Sequence, residues 1–130
     1  MVREWDELRV RLDGLGLPFL VAEADGGIAG YAYVSPWRQK PAYRHTVEDS
    51  VFVAHDLTDR GTGRLLLGGL LSSCSASGAR QVIAVIADSA DPASAALHAA
   101  FGFTEAGRLK HVGYKHGRWI DTLLMQRSLP

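Results

Sequence analysis

The sequence predicts one domain of mixed α/β class, and three observations carry that prediction. Its 130 residues are the length of a single domain, and 47% hydrophobic with 22% charged residues is a globular composition. Strand-like segments lie in adjacent pairs towards both ends of the chain, while strand-like and helix-like segments alternate in the middle. We therefore expect a mixed sheet with antiparallel hairpins at its two ends and βαβ units between them.

The first third of the chain predicts a helix, a hairpin and a loop. Residues 3–13 repeat apolar side chains at spacings of three and four, as a helix does. FLVAEA (19–24) and IAGYAYV (28–34) have strand composition and flank the turn signal Asp25-Gly26-Gly27. The segment that follows, SPWRQKPAYR, contains two prolines and three cationic residues and is typical of a loop.

The next segment, HTVEDSVFVAH (45–55), predicts a strand whose two faces differ. Alternation places one set of side chains on one face: Val47, Asp49, Val51 and Val53. The opposite face carries the other set: Glu48, Ser50, Phe52 and Ala54. The first face is mostly aliphatic, whereas the second carries the Glu48 carboxylate and the Ser50 hydroxyl.

The second half of the chain predicts two helices and three strands. One helix buries the stripe Leu67, Leu70, Leu71 and Cys74 and ends at Gly78. QVIAVIA (81–87) is a nearly continuous apolar run, as in a strand covered on both faces. In the short helix that follows, Asp91 is predicted as N-cap and Pro92 as the first helical residue. Strands at 106–115 and 118–127 complete the chain.

The stretch LTDRGTGRLLL (57–67) places two glycines and two arginines directly before a helix. Unpaired N–H groups and the positive end of the helix dipole make such a position suitable for phosphate. An ordinary loop with solvated arginines is an equally simple interpretation. A P-loop is excluded because no Lys-Ser or Lys-Thr follows, and the dinucleotide fingerprint is excluded because Leu66 stands where glycine or alanine is needed.

Several motifs together resemble the GNAT superfamily of N-acetyltransferases, and specifically its phosphinothricin N-acetyltransferase branch. They are Arg60-Gly61-x-Gly63 after SVFVA, then WRQKPAYRHTVEDSVFV, ASAALHAAFGF and VGYKHGRWIDTLLMQRSL. Thr58 departs from the glutamine or arginine usual at the first position of the glycine motif. The resemblance implies a centrally splayed sheet flanked by helices, with acetyl-CoA as co-substrate between the strand ending near Val53 and the strand ending near Ala87.

The resemblance also implies the residues that bind acetyl-CoA. The backbone of Val51, Phe52 and Val53 would pair with the pantetheine arm as an added strand. The pyrophosphate would lie at one loop: Arg60, Gly61, Thr62, Gly63 and Arg64. Asp91 stands where asparagine is common in the family, so it is either a pantetheine contact or only the helix N-cap.

Two residues are candidates for catalysis. From the residues alone, a salt bridge at a strand end is the favoured interpretation of Glu48, but the residue lies in the Thr-Val-Glu motif where the family places its general base, and the resemblance therefore implies the catalytic role. His98 lies where many of these enzymes carry a tyrosine that protonates the leaving thiolate, and the phosphinothricin branch carries a histidine. A histidine that caps a carbonyl group is the alternative for His98.

The predicted activity is transfer of an acetyl group to the amine of a small amino-acid-like substrate, of the phosphinothricin or methionine sulfoximine type. Trp37, Arg38, Tyr43 and Lys115 are the candidates for contact with the acceptor, because an acceptor carboxylate or phosphinate favours cations near aromatic rings. A non-catalytic CoA-binding or oligomerising module derived from such an enzyme is the alternative function.

Relatives of this kind carry a strand and a helix ahead of the helix predicted at residues 3–13, so by this resemblance the single domain (1–130) is N-terminally short. Either the sequence is shortened or a second subunit closes the site, and we expect a homodimer. Fourteen cationic residues balance fourteen acidic ones, which disfavours nucleic acid as a partner, and no apolar run is long enough to span a membrane. One cysteine and no metal-ligand spacing predict a cytoplasmic protein without a metal.

Overall fold

The computed structural model describes residues 9–24, 26–54, 61–88 and 92–130. Within these ranges six strands form one sheet in the order β1-β2-β3-β4-β6-β5. The strands are β1 (Phe19–Ala24), β2 (Gly27–Pro36), β3 (Thr46–Val53), β4 (Gln81–Ala87), β5 (Thr104–Lys115) and β6 (Arg118–Ser128). The helices are α1 (Thr62–Ala76) and α2 (Ala93–Ala100), with a 3₁₀ turn at Pro41–Tyr43. The mixed α/β prediction is therefore confirmed.

The helix predicted at the N-terminus is described only from residue 9, where residues 9–14 are helical. Leu12 of this segment is fully buried, as its place in the apolar repeat predicts. The earlier part of the predicted helix, including Trp5 and Leu8, lies outside the described residues, and so does Asp25 of the first turn.

Antiparallel hairpins form at both ends of the sheet, as the turn residues predict. Gly26 has a φ of +78° in the turn between β1 and β2. In the turn between β5 and β6, both His116 and Gly117 have positive φ, at 54° and 73°. Two consecutive residues with positive φ make the type of two-residue turn whose twist matches that of paired strands. Both tail strands are slightly longer than predicted.

The core lies between the sheet and α1, which packs on β1, β2 and β3. The predicted stripe of α1 is buried as expected: Leu67, Leu70, Leu71 and Cys74. Gly78 ends this helix region in the left-handed conformation, with a φ of +88°. Burial and the charge of Asp49 raise the pKa of the Cys74 thiol to about 11. Cys74 is therefore a packing residue, which agrees with its position on the apolar stripe.

Two details of the βαβ units differ from the sequence prediction. The two faces of β4 are not equally covered, because Val82 and Ala84 are buried whereas Val85 is 43% exposed. Val85 lies beyond the last residue of β4 that pairs with β3, so the neighbouring strand no longer shields it. At α2, Pro92 occupies the N-cap position and the helix begins at Ala93, one residue later than predicted. Asp91, the predicted N-cap, lies outside the described residues.

The sheet opens in its middle, between β3 and β4. These parallel strands pair only through Thr46↔Gln81, Val47↔Val82 and Glu48↔Ile83. Beyond that point β3 continues to pair with β2, and β4 continues to pair with β6. The two halves of the sheet therefore diverge after Glu48, and the expected central splay is confirmed. Among the helices in the described ranges, none has the length and apolar character needed to cross a bilayer.

Truncation of the core contact between α1 and the sheet is expected to destabilise the protein strongly. Leu70 is fully buried, so Leu70→Ala should lower the free energy of unfolding by about 2 to 5 kcal/mol through lost burial and a cavity. Leu65→Ala is the matched control on the same helix, because Leu65 is 71% exposed, and it should change the value by less than about 0.5 kcal/mol. Chemical denaturation measures both; equal losses would contradict this account of the core.

Candidate active site

The splay between β3 and β4 forms a cleft of about 500 Å³ that α1 and α2 complete. The lining includes two residues of β3, the first turn of α1 and part of α2: Val51, Val53, Gly61, Gly63, Arg64 and Leu97. Beyond Glu48 the edge of β3 that faces the cleft has no strand partner within the described residues. That edge can therefore accept an extended chain that hydrogen-bonds to its backbone.

The N-terminus of α1 opens into this cleft, and two glycines shape it. Gly61 is the N-cap and has a φ of +75°, a left-handed conformation that favours glycine. A Cβ on Gly63 would lie 3.3 Å from Leu97, so a side chain there would narrow the cleft. The first-turn N–H groups carry the positive end of the helix dipole, and Arg64 lies beside them.

The predicted phosphate residues lie mostly where a pyrophosphate could be bound. Gly61, Gly63 and Arg64 line the cleft, and Thr62 is buried at the start of α1. These backbone donors, an arginine and the free edge of β3 are the groups that a diphosphate joined to an amide-containing arm would need. The site therefore fits acetyl-CoA. Arg60 and Asp91 lie outside the described residues.

A smaller cavity of about 160 Å³ lies at the inner end of the splay. It brings together the two predicted catalytic residues and several neighbours: Glu48, Asp49, Phe52, Val85, Ser94 and His98. Glu48 pairs with Ile83 in the last rung before the strands diverge, so its position is fixed by the sheet on both sides. The Glu48 carboxylate and the His98 imidazole therefore both line this cavity.

Glu48 is half-buried, and its surroundings favour the protonated form. Burial raises the pKa of Glu48 and the charge of Asp49 raises it further, whereas the positive charge of Arg38 lowers it. The net pKa lies above the usual value for a glutamate. A carboxylate with a raised pKa binds a proton more readily, which suits a general base.

His98 is almost completely buried and forms an ion pair with Asp49. Its Nε2 lies 3.0 Å from both Oδ1 and Oδ2 of Asp49, and its Nδ1 lies 2.7 Å from the carbonyl oxygen of Ser94. The two side chains are each only 4% exposed. Because carboxylate and carbonyl oxygens only accept hydrogen bonds, both ring nitrogens carry protons and donate them.

This ion pair has a clear effect on the ionisation of His98. Burial lowers the pKa of His98, but the hydrogen bond and charge of Asp49, together with the Ser94 carbonyl, outweigh burial and raise the pKa above its usual value. Asp49 was not among the predicted site residues. The sequence contained one indication of its role. Alternation places Asp49 on the aliphatic face of β3, where an unpaired carboxylate would destabilise the fold, so a buried partner was to be expected.

Three of the four predicted acceptor residues lie together in a pocket of about 400 Å³: Trp37, Arg38 and Tyr43. The guanidinium of Arg38 lies 4.1 Å from the centre of the Trp37 ring, a cation–π contact. The backbone N–H of Trp37 donates to the Thr46 carbonyl (3.1 Å), which joins this loop to the start of β3 near Glu48. Lys115 is separate from this pocket, because it is exposed at the end of β5 and pairs with Arg118 in the tail hairpin.

The described residues contain no cluster of three or more histidine, cysteine, aspartate or glutamate side chains that could bind a metal ion.

Loss of His98 should weaken the fold in a pH-dependent way. His98→Ala leaves Asp49 buried without its partner, which costs about 3 to 5 kcal/mol. Because folding raises the pKa of His98, its contribution is fully present below the unfolded pKa of about 6.5 and is lost as pH rises through the folded pKa. The difference between wild type and variant in the free energy of unfolding should therefore shrink as the pH rises.

Denaturant titrations from pH 5 to 9 measure this difference. His45→Ala is the control for loss of an imidazole, because the residue is exposed and its ring Nδ1 lies 3.2 Å from the Gly78 carbonyl oxygen, while its backbone carbonyl, which accepts from Arg80 and Gln81, is kept. It should cost about 1 kcal/mol or less. A difference for His98→Ala that grows with pH would contradict the ion-pair assignment.

Known proteins are similar to this chain in sequence and in fold. A family model described as an acetyltransferase (GNAT) domain matches residues 7–124. The chain is 55% identical over 114 residues to a phosphinothricin N-acetyltransferase of Alcaligenes faecalis, a match that covers 88% of this chain and 58% of that enzyme. It is 40% identical over 115 residues to an L-methionine sulfoximine/L-methionine sulfone acetyltransferase of Salmonella typhimurium, covering 88% of this chain and 67% of that enzyme.

A solved structure extends the similarity to three dimensions. The crystal structure of a GNAT superfamily phosphinothricin acetyltransferase from Sinorhizobium meliloti in complex with AcCoA is 44% identical in sequence. It superimposes with a TM-score of 0.91 over 98% of this chain and 69% of that one. The splayed sheet, the glycine turn at α1 and these matches lead to one conclusion: the chain belongs to the GNAT acetyltransferase family.

Proposed function

We propose that this protein is an acetyl-CoA-dependent N-acetyltransferase that acetylates the amine of a small amino-acid-like substrate, of the phosphinothricin or methionine sulfoximine type. One observation carries the proposal: the cleft in the sheet has a phosphate-suited helix N-terminus at its mouth and Glu48 with His98 at its inner end. Two relatives, 55% and 40% identical to this chain, are named as phosphinothricin and methionine sulfoximine/methionine sulfone acetyltransferases, which supports the same substrate class here.

The cleft residues are proposed to bind acetyl-CoA, which supplies the acetyl thioester. The backbone of Val51, Phe52 and Val53 lies on the unpaired edge of β3 and hydrogen-bonds to the pantetheine arm. The first turn of α1 provides N–H donors for the pyrophosphate, with contributions from one loop: Arg60, Gly61, Thr62, Gly63 and Arg64. Asp91 contributes either to this binding or only to the start of α2.

Glu48 is proposed as the general base of a direct transfer. It accepts the proton that the amine loses as the new C–N bond forms, directly or through a water molecule. Its raised pKa and its place in the inner cavity support this role. The thioester C–S bond breaks in the same transfer, and the sulfur then needs a proton.

His98 is proposed to supply that proton. The imidazolium lines the same cavity as Glu48 and carries a proton on Nε2, which it shares with Asp49. The base and the acid therefore have opposite requirements, because Glu48 must be deprotonated and His98 protonated. The pKa values of both groups are raised, and the enzyme should be most active at pH values between the pKa of Glu48 and the pKa of His98.

The acceptor is proposed to bind at the loop pocket of Trp37, Arg38 and Tyr43, next to Glu48. Arg38 can pair with a carboxylate or phosphinate while its other face rests on the Trp37 ring. Lys115 lies at the end of β5, away from this pocket, so it would contact the acceptor only if a second subunit supplied it. We further propose a homodimer that completes the acceptor side, and a cytoplasmic location, which the single buried cysteine supports.

A thiol-release assay with a panel of amines tests the substrate class. We expect release with phosphinothricin or methionine sulfoximine and at least about tenfold less with the matching amine that lacks the carboxylate, because the charge pairing with Arg38 is lost. Protein that is folded and binds acetyl-CoA by calorimetry, yet acetylates no member of the panel, would contradict the proposal. That result would favour a non-catalytic CoA-binding module.

Removal of the proposed base should abolish most of the turnover. Glu48→Gln keeps the size of the side chain but cannot accept the proton, so kcat should fall by about 10²- to 10⁴-fold. In the wild type the rate should rise with pH through a pKa above that of an ordinary glutamate, because the base must be deprotonated and its pKa is raised. This acid limb should disappear in the variant.

The measurement is kcat/KM from pH 4 to 8, with acetyl-CoA affinity determined in parallel. Glu105→Gln is the matched control, since Glu105 is exposed on β5, and it should retain wild-type turnover and the acid limb. Unchanged turnover in Glu48→Gln would remove Glu48 from the mechanism.

A further inference from the structure

The buried ion pair between Asp49 and His98 lies at a structurally special point. Asp49 is the first residue of β3 beyond the last rung that joins β3 to β4. His98 belongs to α2, which follows β4 in the chain. The ion pair therefore joins the two sides of the splay where backbone hydrogen bonds have stopped joining them.

The ion pair is rigid as well as buried. Both protons of the His98 ring are donated to fixed acceptors, since Nε2–H points at Asp49 and Nδ1–H at the Ser94 carbonyl one helical turn earlier. The edge of the ring meets Phe103, whose ring lies 4.8 Å away at 88°. Without a ligand, these contacts define one orientation of the imidazole and join α2 to β3.

The other contacts of α2 are apolar: Leu97 and Phe101 pack against the core, close to Gly63 and Gly68 of α1. α2 contacts the sheet mainly at β4, and the first residues of its helical turn, Ala93 and Ser94, line the cleft itself. The opening of the cleft depends on the separation between β3 and α2, because residues of both elements form its walls. Loss of the ion pair is therefore expected to change the width of the cleft more than the packing of the core under α1.

We propose that Asp49 is a positioning residue that, through His98, fixes α2 against the unpaired half of β3 and so sets the width of the cleft. The part of this inference that concerns acetyl-CoA rests on the proposed function. The part that concerns α2 and β3 does not, because it concerns the protein without any ligand. Asp49 acts only by positioning His98, whereas Glu48 is proposed to accept the proton of the substrate amine itself.

Hydrogen exchange on the protein without ligand tests the first part. Asp49→Asn removes the charge but keeps the shape, so the variant is expected to fold. Loss of a charge-assisted hydrogen bond should speed amide exchange in residues 94–100 by about tenfold. Exchange in residues 66–74 of α1 should stay at its wild-type rate. Asp13→Asn is the matched control, since Asp13 is exposed, and should alter neither region.

Acetyl-CoA affinity, measured by calorimetry where every variant is fully folded, tests the second part. Asp49→Asn and His98→Gln should each weaken binding by about tenfold, and the double variant should be no weaker than either alone. A purely structural role would lower the melting temperature and leave this affinity unchanged. The proposed base, in contrast, should affect turnover and not affinity.

The outcomes separate the two proposals. Unchanged exchange in residues 94–100, or exchange that rises equally in α1, overturns the positioning role whether or not the protein is an enzyme. Faster exchange confined to α2, in a protein that acetylates nothing, supports the positioning role and removes the proposed function. Faster exchange with unchanged acetyl-CoA affinity overturns the claim that Asp49 sets the width of the cleft.

Discussion

The structure depends on a single interruption: β3 and β4 stop pairing after Glu48 and Ile83. A parallel sheet that stayed closed here would leave no free strand edge and no space between the two helices. Because each strand keeps its other neighbour, the interruption does not cost the sheet its stability on either side. The cleft, the inner cavity and the exposure of Val85 all follow from this divergence.

Charge is concentrated at the point of divergence. Glu48 and Asp49 are adjacent in the chain, so alternation sends them to opposite faces of β3. Asp49 forms a buried ion pair with His98, whereas Glu48 is half-buried near Arg38 and forms no ion pair with any residue that the structure describes. Two carboxylates one residue apart therefore have different properties, one tied to a histidine and the other able to take up a proton. This division is what a site for proton transfer requires.

The two ends of the cleft differ in how strictly the fold defines them. At the α1 end, Gly61 is the N-cap in the left-handed conformation, and Gly63 packs on Leu97. Side chains at these positions would be strained or would narrow the cleft, so the backbone itself forms this end of the site. At the loop end, exposed side chains of residues 37–43 form a pocket whose cation rests on an aromatic ring. Backbone geometry defines the first end and side-chain chemistry the second, so the second can vary more readily between related proteins.

The sequence by itself determined the local elements. Strands β1 and β4 have their predicted bounds, and the stripe on α1 is buried, because period and turn residues act over short distances. The family motifs likewise predicted Glu48, His98 and the glycine turn as site residues, and those roles remain predictions. Only the tertiary structure decided that Asp49 and His98, 49 residues apart, form a buried ion pair, and that Val85 faces a cleft. Neither feature follows from a periodic sequence pattern, because each depends on the point at which β3 and β4 stop pairing.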